Sequence, residues 1–301
     1  YSPNIFAQSL KSARSRFIGF SLNMDGVQDP AQVTDWHAIQ SRSPALTQIF
    51  HGMLMACIPR NVYPMVLPRL EGRAPLRREQ ILPDGIQGVL YERPTGQHLE
   101  YLDLVREGAP VVVLSHARDD QGTLVTCGVD DRAESQRVVA HAISRGARRI
   151  LFTCPLPRGV DLVELRLAGF REALAAARIE HDDSLVLIDD TREFHDRVRE
   201  ALAADPSIDC VYCVASDSYR AALDAAAALG RAVGRRDLLV TSFSSGCPEE
   251  ATRLGLTHLE FSFTELGCRA TELLFRLIEG EVRAPHAEQI PCRLVEGKST
   301  R

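Results

Sequence analysis

The sequence predicts an α/β protein of two lobes, each a doubly wound parallel sheet, that face each other across a cleft. Short runs of β-branched and aliphatic residues alternate with amphipathic stretches along the 301 residues, which is the pattern of βαβ units. The runs are too numerous for one compact sheet of ordinary width. Ligands of such sheets bind beyond the carboxyl ends of the strands, so the residues that follow each run are binding-site candidates.

The strands of this fold are predicted from eight apolar runs. In chain order they are "RFIGFSL", "GIQGVLYE", "APVVVLSH", "RRILFTC", "SLVLID", "DCVYCVA", "DLLVTSF" and "THLEFSF". Residues 23–44 have no clear period, and we interpret them as a long loop after the first strand, of a length typical of functional or mobile loops.

Several intervening helices carry their own end signals. Three are predicted to stop at glycines, which tolerate the left-handed backbone that follows a helix: Gly146, Gly230 and Gly280. The last of them begins with a capping box, in which Ser262 accepts a backbone N–H and Glu265 reaches back.

The composition favours a globular protein without a metal or a cofactor. Hydrophobic residues make up 45% and charged residues 25%, and the net charge of −5 argues against a surface devoted to nucleic acid. The eight cysteines lack the paired spacing of a zinc site or a disulfide scaffold. Cys210 and Cys213 are predicted to lie in a buried strand, where residues three apart point to opposite faces. We expect a reducing, cytoplasmic environment.

The first residues of the chain indicate whether the protein is soluble and whether it is truncated. It opens with Tyr1 and has no secretory leader and no apolar run of membrane-spanning length. We therefore expect a soluble product that has been cut from a longer protein.

The opening stretch "YSPNIFAQSLKSARSRFIG" resembles the hinge helix and first strand of the LacI/GalR family of transcriptional regulators. Other stretches fit the same family: "GVDDRAESQRVVAHAISRGARRILF", "LRLAGFREAL", "DCVYCVASDSYRAALDAAAALG", "TELGCRATELLFRLIEGE" and "IPCRLVEGKSTR". The resemblance implies a periplasmic-binding-protein-like fold and a ligand-responsive repressor. It further implies a homodimer, a small-molecule effector (a sugar, sugar acid or other polar metabolite), and a helix-turn-helix DNA reader upstream of Tyr1.

The same resemblance implies a division of the chain. Residues 1–16 form the hinge and linker, 17–130 with 264–290 the N-terminal lobe, and 131–263 with 291–301 the C-terminal lobe. The hinge residues expected at operator DNA are Pro3, Asn4, Ala7, Gln8 and Leu10, with Leu10 as an apolar wedge in the minor groove. The alternative for Leu10 is packing on the core.

Arg166 is the principal candidate for effector binding. It lies at the edge of an apolar helical face in "DLVELRLAGFREAL", where a guanidinium requires a partner. One interpretation is a structural ion pair with a neighbouring acid. The other, from the family's "RLAGF", is a forked clamp on ligand hydroxyls or a carboxylate.

The remaining candidates follow strands or the lobe crossover: Glu92, Ser115, His116, Ser216, Ser244 and Phe261. Serines stand where sugar-binding members of the family carry carboxylates, so a simple hexose is a poor candidate for the effector. Glu92 is either a ligand contact or a solvated charge beside Arg93. Phe261 either lines the cleft or packs the crossover, and Asp217 is expected to cap a helix.

Two other function classes compete with a regulator. The chain has no Walker or dinucleotide loop, no Gly-x-Ser-x-Gly elbow and no His-Glu-x-x-His motif, so we expect that it is not an enzyme. A periplasmic-type solute-binding protein shares the expected fold and is the alternative. The hinge-like opening stretch favours the regulator.

Overall fold

The computed structural model describes residues 16–23, 44–69, 85–92, 100–114, 122–215, 218–234, 237–243 and 248–301. The strands are β1 Phe17–Asn23, β2 Tyr63–Arg69, β3 Ile86–Glu92, β4 Val111–Leu114, β5 Val125–Gly128, β6 Ile150–Cys154, β7 Val186–Ile188, β8 Cys210–Cys213, β9 Leu239–Ser242, β10 Thr257–Glu260, β11 His286–Gln289 and β12 Arg293–Val295. The helices are α1 Pro44–Cys57, α2 Glu100–Arg106, α3 Asp131–Ser144, α4 Asp161–Ala176, α5 Phe194–Ala204, α6 Ser218–Ala228, α7 Pro248–Leu254 and α8 Phe263–Ile278.

These elements form two compact units. The first unit takes its described residues from Tyr1–Gly128 and Ser262–Ile290, and the second comprises those of Val129–Phe261 and Pro291–Arg301. Each unit holds one six-stranded sheet. The predicted α/β class, with two mainly parallel sheets and alternating helices, is confirmed.

The first unit's sheet has the strand order β11-β5-β4-β3-β1-β2, and its pairs are parallel. Strands β4 and β5 are buried at every residue, as expected where helices cover both faces of a parallel sheet. Helices α1 and α8 pack closely, since a Cβ at Gly267 would lie 2.0 Å from the Ile49 carbonyl oxygen.

The second unit's sheet has the order β12-β10-β9-β8-β6-β7. Strands β6, β8 and β9 are buried throughout, and they carry the rings at the centre of this unit. The Phe152 ring lies 5.4 Å from Phe170 of α4 and 5.7 Å from Tyr212, between ring centroids. Strand β12 runs antiparallel to β10, and the other strand pairs of this sheet are parallel.

The predicted helix ends agree with the structure. Gly146, Gly230 and Gly280 have φ values of 111°, 68° and 77°, where a side chain would strain the backbone. The Ser262 hydroxyl accepts the Glu265 N–H at 3.0 Å and caps α8. The Glu265 carboxylate contacts Arg269, 2.5 Å away, so one half of the predicted capping box is present.

All eight predicted strands are present, and the structure adds four that the apolar runs did not indicate: β2, β5, β11 and β12. Of the segment 23–44, Asn23 ends β1 and Pro44 begins α1, and the rest lies outside the described residues. Cys210 and Cys213 are fully buried in β8, as predicted. No helix in the described part of the chain is long and apolar enough to cross a membrane.

The end of the chain is anchored on the second sheet by buried hydroxyl groups. Ser299 donates to the Val240 carbonyl at 2.6 Å and accepts the Thr257 N–H at 2.8 Å. Thr300 is fully buried and bonds Thr257 at 2.7 Å, and its hydroxyl lies 3.2 Å from His141 Nε2 in α3. The last residues of the chain therefore belong to the core of this unit.

This anchor predicts a pH dependence of stability. Burial lowers the pKa of His141 from its usual 6.5, against the opposing effect of Glu296. The fold therefore favours the neutral ring, and its contribution is present above pH 6.5 and is lost as the pH falls towards the lowered value. Between pH 7.5 and 5.5 we expect the free energy of unfolding to fall more in wild type than in His141→Gln.

Urea unfolding at the two pH values measures this difference, with the half-exposed His195→Gln as control. Equal pH dependence in wild type and His141→Gln would contradict the prediction.

Candidate functional site

Arg166 lies on α4, the helix whose apolar face covers the central strands of the second sheet. Val163, Leu167, Phe170 and Leu174 are buried on this face. Arg166 precedes Leu167 and lies one turn before Phe170. Its guanidinium therefore lies at the edge of the apolar core. Its side chain is 11% exposed.

Three elements hold the guanidinium. Its Nε donates to Asp131 Oδ1 at 2.8 Å, and Nη2 lies 2.7 Å from the same oxygen. Nη1 donates to the Val214 carbonyl at 2.6 Å, and Cζ lies 3.7 Å from the centre of the Phe243 ring. Asp131 begins α3, Val214 follows β8 and Phe243 follows β9. The arginine thus lies at the carboxyl edge of the sheet, where ligands of such sheets bind.

The ion pair of Arg166 and Asp131 is nearly closed to solvent. The Asp131 side chain is 5% exposed, and its charge lies in the first turn of α3, where the helix dipole favours an anion. A guanidinium has five N–H donors, and the described contacts use three of them. The other two donors have no acceptor among the described residues. The structural ion pair and a role in binding are therefore compatible.

Behind the arginine, two hydroxyl groups fix the α4 backbone. Tyr212 donates to Ser135 Oγ at 2.8 Å, and Ser135 donates to the Arg166 carbonyl at 2.6 Å. Burial raises the pKa of Tyr212 well above 10, so its hydroxyl stays protonated and remains a donor. Helices α3 and α4 meet at Gly169, where a Cβ would lie 2.1 Å from the Arg132 carbonyl oxygen.

Sequence reasoning missed four of these supports: Asp131, Ser135, Tyr212 and Phe243. A signal existed for Tyr212, since a tyrosine inside a fully apolar run requires a partner for its hydroxyl. No local signal pairs Ser135 or Asp131 with Arg166, because 31 and 35 positions separate them along the chain.

Two further candidates are described. Glu92 ends β3 and is 5% exposed, so the interpretation as a solvated loop charge is wrong. Phe261 is 9% exposed and is the last residue of the Val129–Phe261 part of the second unit. Ser115, His116, Ser216 and Ser244 lie outside the described residues, as do Asp217 and the hinge residues Pro3, Asn4, Ala7, Gln8 and Leu10.

The described residues contain no group of three or more His, Cys, Asp or Glu side chains that could hold a metal ion. Their cysteines are all free thiols. Burial raises the pKa of Cys213 to about 12, so this thiol is not an activated nucleophile at neutral pH. What the Arg166 site can do chemically is donate hydrogen bonds.

Comparison with known proteins gives a family match. The model of the family described as "Periplasmic binding protein-like domain" matches residues 139–300, more than half of the chain. The chain is 29% identical to the HTH-type transcriptional regulator CelR of Thermobifida fusca over 161 residues, 52% of this chain and 46% of that protein. It thus matches about half of CelR's length. It is 22% identical to the HTH-type transcriptional regulator RegA of Clostridium saccharobutylicum over 100% of this chain and 86% of that protein.

Solved structures agree on the fold. A complex of the transcriptional regulator CelR with cellobiose has a TM-score of 0.78 at 21% identity, covering 97% of this chain and 88% of that one. The regulator CcpA of Lactococcus lactis has a TM-score of 0.74 at 18% identity, covering 96% of this chain and 100% of that one. The chain therefore belongs to the family of periplasmic binding protein-like domains.

Proposed function

We propose that the chain is the effector-binding part of a ligand-responsive transcriptional regulator, a repressor of the LacI/GalR type. The observation that carries the proposal is the held guanidinium of Arg166 with its two spare donors at the carboxyl edge of the second sheet. Both curated relatives bear the name of HTH-type transcriptional regulators, which favours a regulator over a solute-binding protein. We retain the predictions that the protein is cytoplasmic and is not an enzyme.

The effector we propose is a neutral polyhydroxylated metabolite of the sugar class, larger or more modified than a simple hexose. Because Asp131 neutralises Arg166 in place, an anionic ligand gains little attraction, whereas hydroxyl oxygens accept the spare donors well. The CelR relative of known structure was solved with cellobiose, which is of this class. We assign effector contacts to Arg166, Glu92, Ser115, His116, Ser216, Ser244 and Phe261.

For DNA we propose the hinge residues Pro3, Asn4, Ala7, Gln8 and Leu10, together with a helix-turn-helix reader of the kind named in the relatives. Effector binding would change operator affinity roughly 5- to 150-fold, the range of a coupling free energy of about 1–3 kcal/mol.

A two-fold homodimer is part of the proposal. The first unit exposes large apolar side chains on its edge strand β2 and the preceding segment: Met55, Ile58, Tyr63, Met65 and Val66. Exposed apolar groups clustered along an edge strand are typical of a protein–protein contact.

A thermal-shift screen tests the effector. We expect disaccharides, polyols or modified sugars to raise the melting temperature, while sugar acids do not. A ligand at 100 times its Kd stabilises by about 2.7 kcal/mol, which is readily measured. Stabilisation by sugar acids alone would contradict the neutral effector.

Operator binding in the presence of the ligand tests the regulatory role. In the chain joined to its DNA reader, the same ligand should change operator binding in a mobility-shift assay. Ligand binding with unchanged operator affinity would favour the solute-binding alternative.

A further inference from the structure

The second unit has a cavity at the edge of its sheet opposite to Arg166. Its volume is about 240 Å³. It lies by the amino end of β6 and the last turns of α4, whereas Arg166 lies at the carboxyl ends of β8 and β9. The floor is apolar and is formed by Ile150, Phe170, Leu174, Ile179 and Leu185.

Arg149 and Asp182, one charged pair on the rim, already have protein partners. Arg149 donates to Asp205 at 2.6 Å through Nε and to Asp182 at 3.2 Å through Nη2. Asp182 also accepts from the backbone and the hydroxyl of Ser184, at 2.9 and 2.6 Å. Arg149 and Asp182 therefore form a fixed, neutral part of the wall.

Three other side chains on the rim, those of Arg148, Glu180 and His181, each keep polar atoms that have no partner among the described residues, although His181 Nε2 bonds Asp183 at 2.8 Å. Arg148 uses Nη1 for the carbonyls of Ile143 and Ala147, and its Nε and Nη2 have no partner among the described residues. Glu180 makes no hydrogen bond or ion pair with any described residue. His181 Nδ1 is buried and lacks a partner in the described part of the chain. The rim thus offers one spare cation, one spare anion and one spare imidazole nitrogen around an apolar floor.

We propose that this cavity is a second small-molecule site, which binds a zwitterion with an aliphatic body: an α-amino acid of the size of leucine. The ligand's carboxylate pairs with Arg148, its ammonium group with Glu180, and its side chain covers Phe170 and Leu174. At about 30 Å³ per water-sized group the cavity holds about eight such groups, which fits leucine or isoleucine. Net charge on the rim is balanced, so neither a simple acid nor a simple amine is favoured.

The site is distinct from that of Arg166, although α4 contributes to both. Phe170 forms part of the floor, and its ring stacks on Tyr212 at 6.2 Å between centroids. Removal of the Arg166 guanidinium leaves every polar group of the cavity rim in place. Amino-acid binding here is therefore independent of the proposed sugar effector, and either proposal can fail without the other.

Isothermal titration with L-leucine tests the site. We expect a Kd of about 0.1–1 mM, as for a small ligand in a half-open site. Two probes each lack one charge: 4-methylpentanoate has no ammonium group and isopentylamine has no carboxylate. Each should bind at least about tenfold more weakly, the loss of one charged contact.

Variants locate the binding. Glu180→Gln and Arg148→Gln should each weaken leucine binding about five- to tenfold, whereas Glu200→Gln and Arg199→Gln on α5 should not change it. Ile179 is the one floor residue that is partly exposed, so Ile179→Trp fills the cavity and should abolish binding without disturbing the core. Arg166→Ala should leave it unchanged.

Several results would overturn the proposal: no heat from L-leucine at 10-fold above the expected Kd, equal affinity for 4-methylpentanoate, or unchanged binding in Ile179→Trp. Loss of leucine binding in Arg166→Ala, with Glu180→Gln unaffected, would move the amino acid to the other site and would equally overturn it.

Discussion

Replacing Arg166 with alanine is expected to abolish the effector response and to lower the free energy of unfolding by about 3 kcal/mol. The response is lost because the spare donors of the guanidinium disappear. Stability falls because Asp131, 5% exposed, keeps a buried charge without its cation. Thermal shift with the best ligand of the screen and urea unfolding measure the two effects separately.

A double variant separates binding from packing. Arg166→Met with Asp131→Asn removes both charges and retains most of the volume, so it should recover most of the lost stability. It should not recover the ligand response. If the double variant responds to the ligand as wild type does, Arg166 has only a structural role.

Gly169→Ala is expected to destabilise the second unit by about 3 kcal/mol or more. The new Cβ would lie 2.1 Å from the Arg132 carbonyl oxygen and 2.9 Å from the Ser135 Cβ, so α3 and α4 must separate. Separation also breaks the bond from Ser135 to the Arg166 carbonyl, and ligand affinity should fall with stability.

Whether Gly169→Ala lowers or raises the free energy of unfolding tests the close packing of α3 and α4. In an open helix, glycine to alanine stabilises by roughly 0.5–1 kcal/mol. The control Ala168→Gly, on the same helix, should cost about 1 kcal/mol by propensity alone. A Gly169→Ala chain more stable than wild type in urea would contradict the close approach of α3 and α4.

The sequence predicted those parts of the fold that depend on local patterns. Central strands such as β6 and β8 are continuous apolar runs, and Gly146 and Gly280 mark helix ends through their own backbone requirement. Strand β2 was not predicted, because a segment with prolines at positions 64 and 68 does not have the pattern of a strand. Both are tolerated because β2 is an edge strand, a fact of tertiary pairing that no local rule contains.

The candidate site likewise has a residue that local patterns predict and partners that they do not. Arg166 was recognisable because a charge at the edge of an apolar helical face is locally anomalous. Its partners were not, because Asp131 and Val214 reach it only once α3, α4 and β8 are assembled. The burial of Glu92 likewise depends on the neighbouring strand β4, where Leu114 is its register partner, and not on a local pattern.

The way the chain passes between the two units has a genetic consequence. It leaves the first unit after Gly128, returns at Ser262 and leaves again after Ile290. The last strands, β11 and β12, are edge strands of different sheets, and Ser299 and Thr300 are core residues of the second unit. A stop codon shortly before position 286 would therefore damage both units at once. Recombination between related genes therefore cannot exchange either complete unit as one uninterrupted segment.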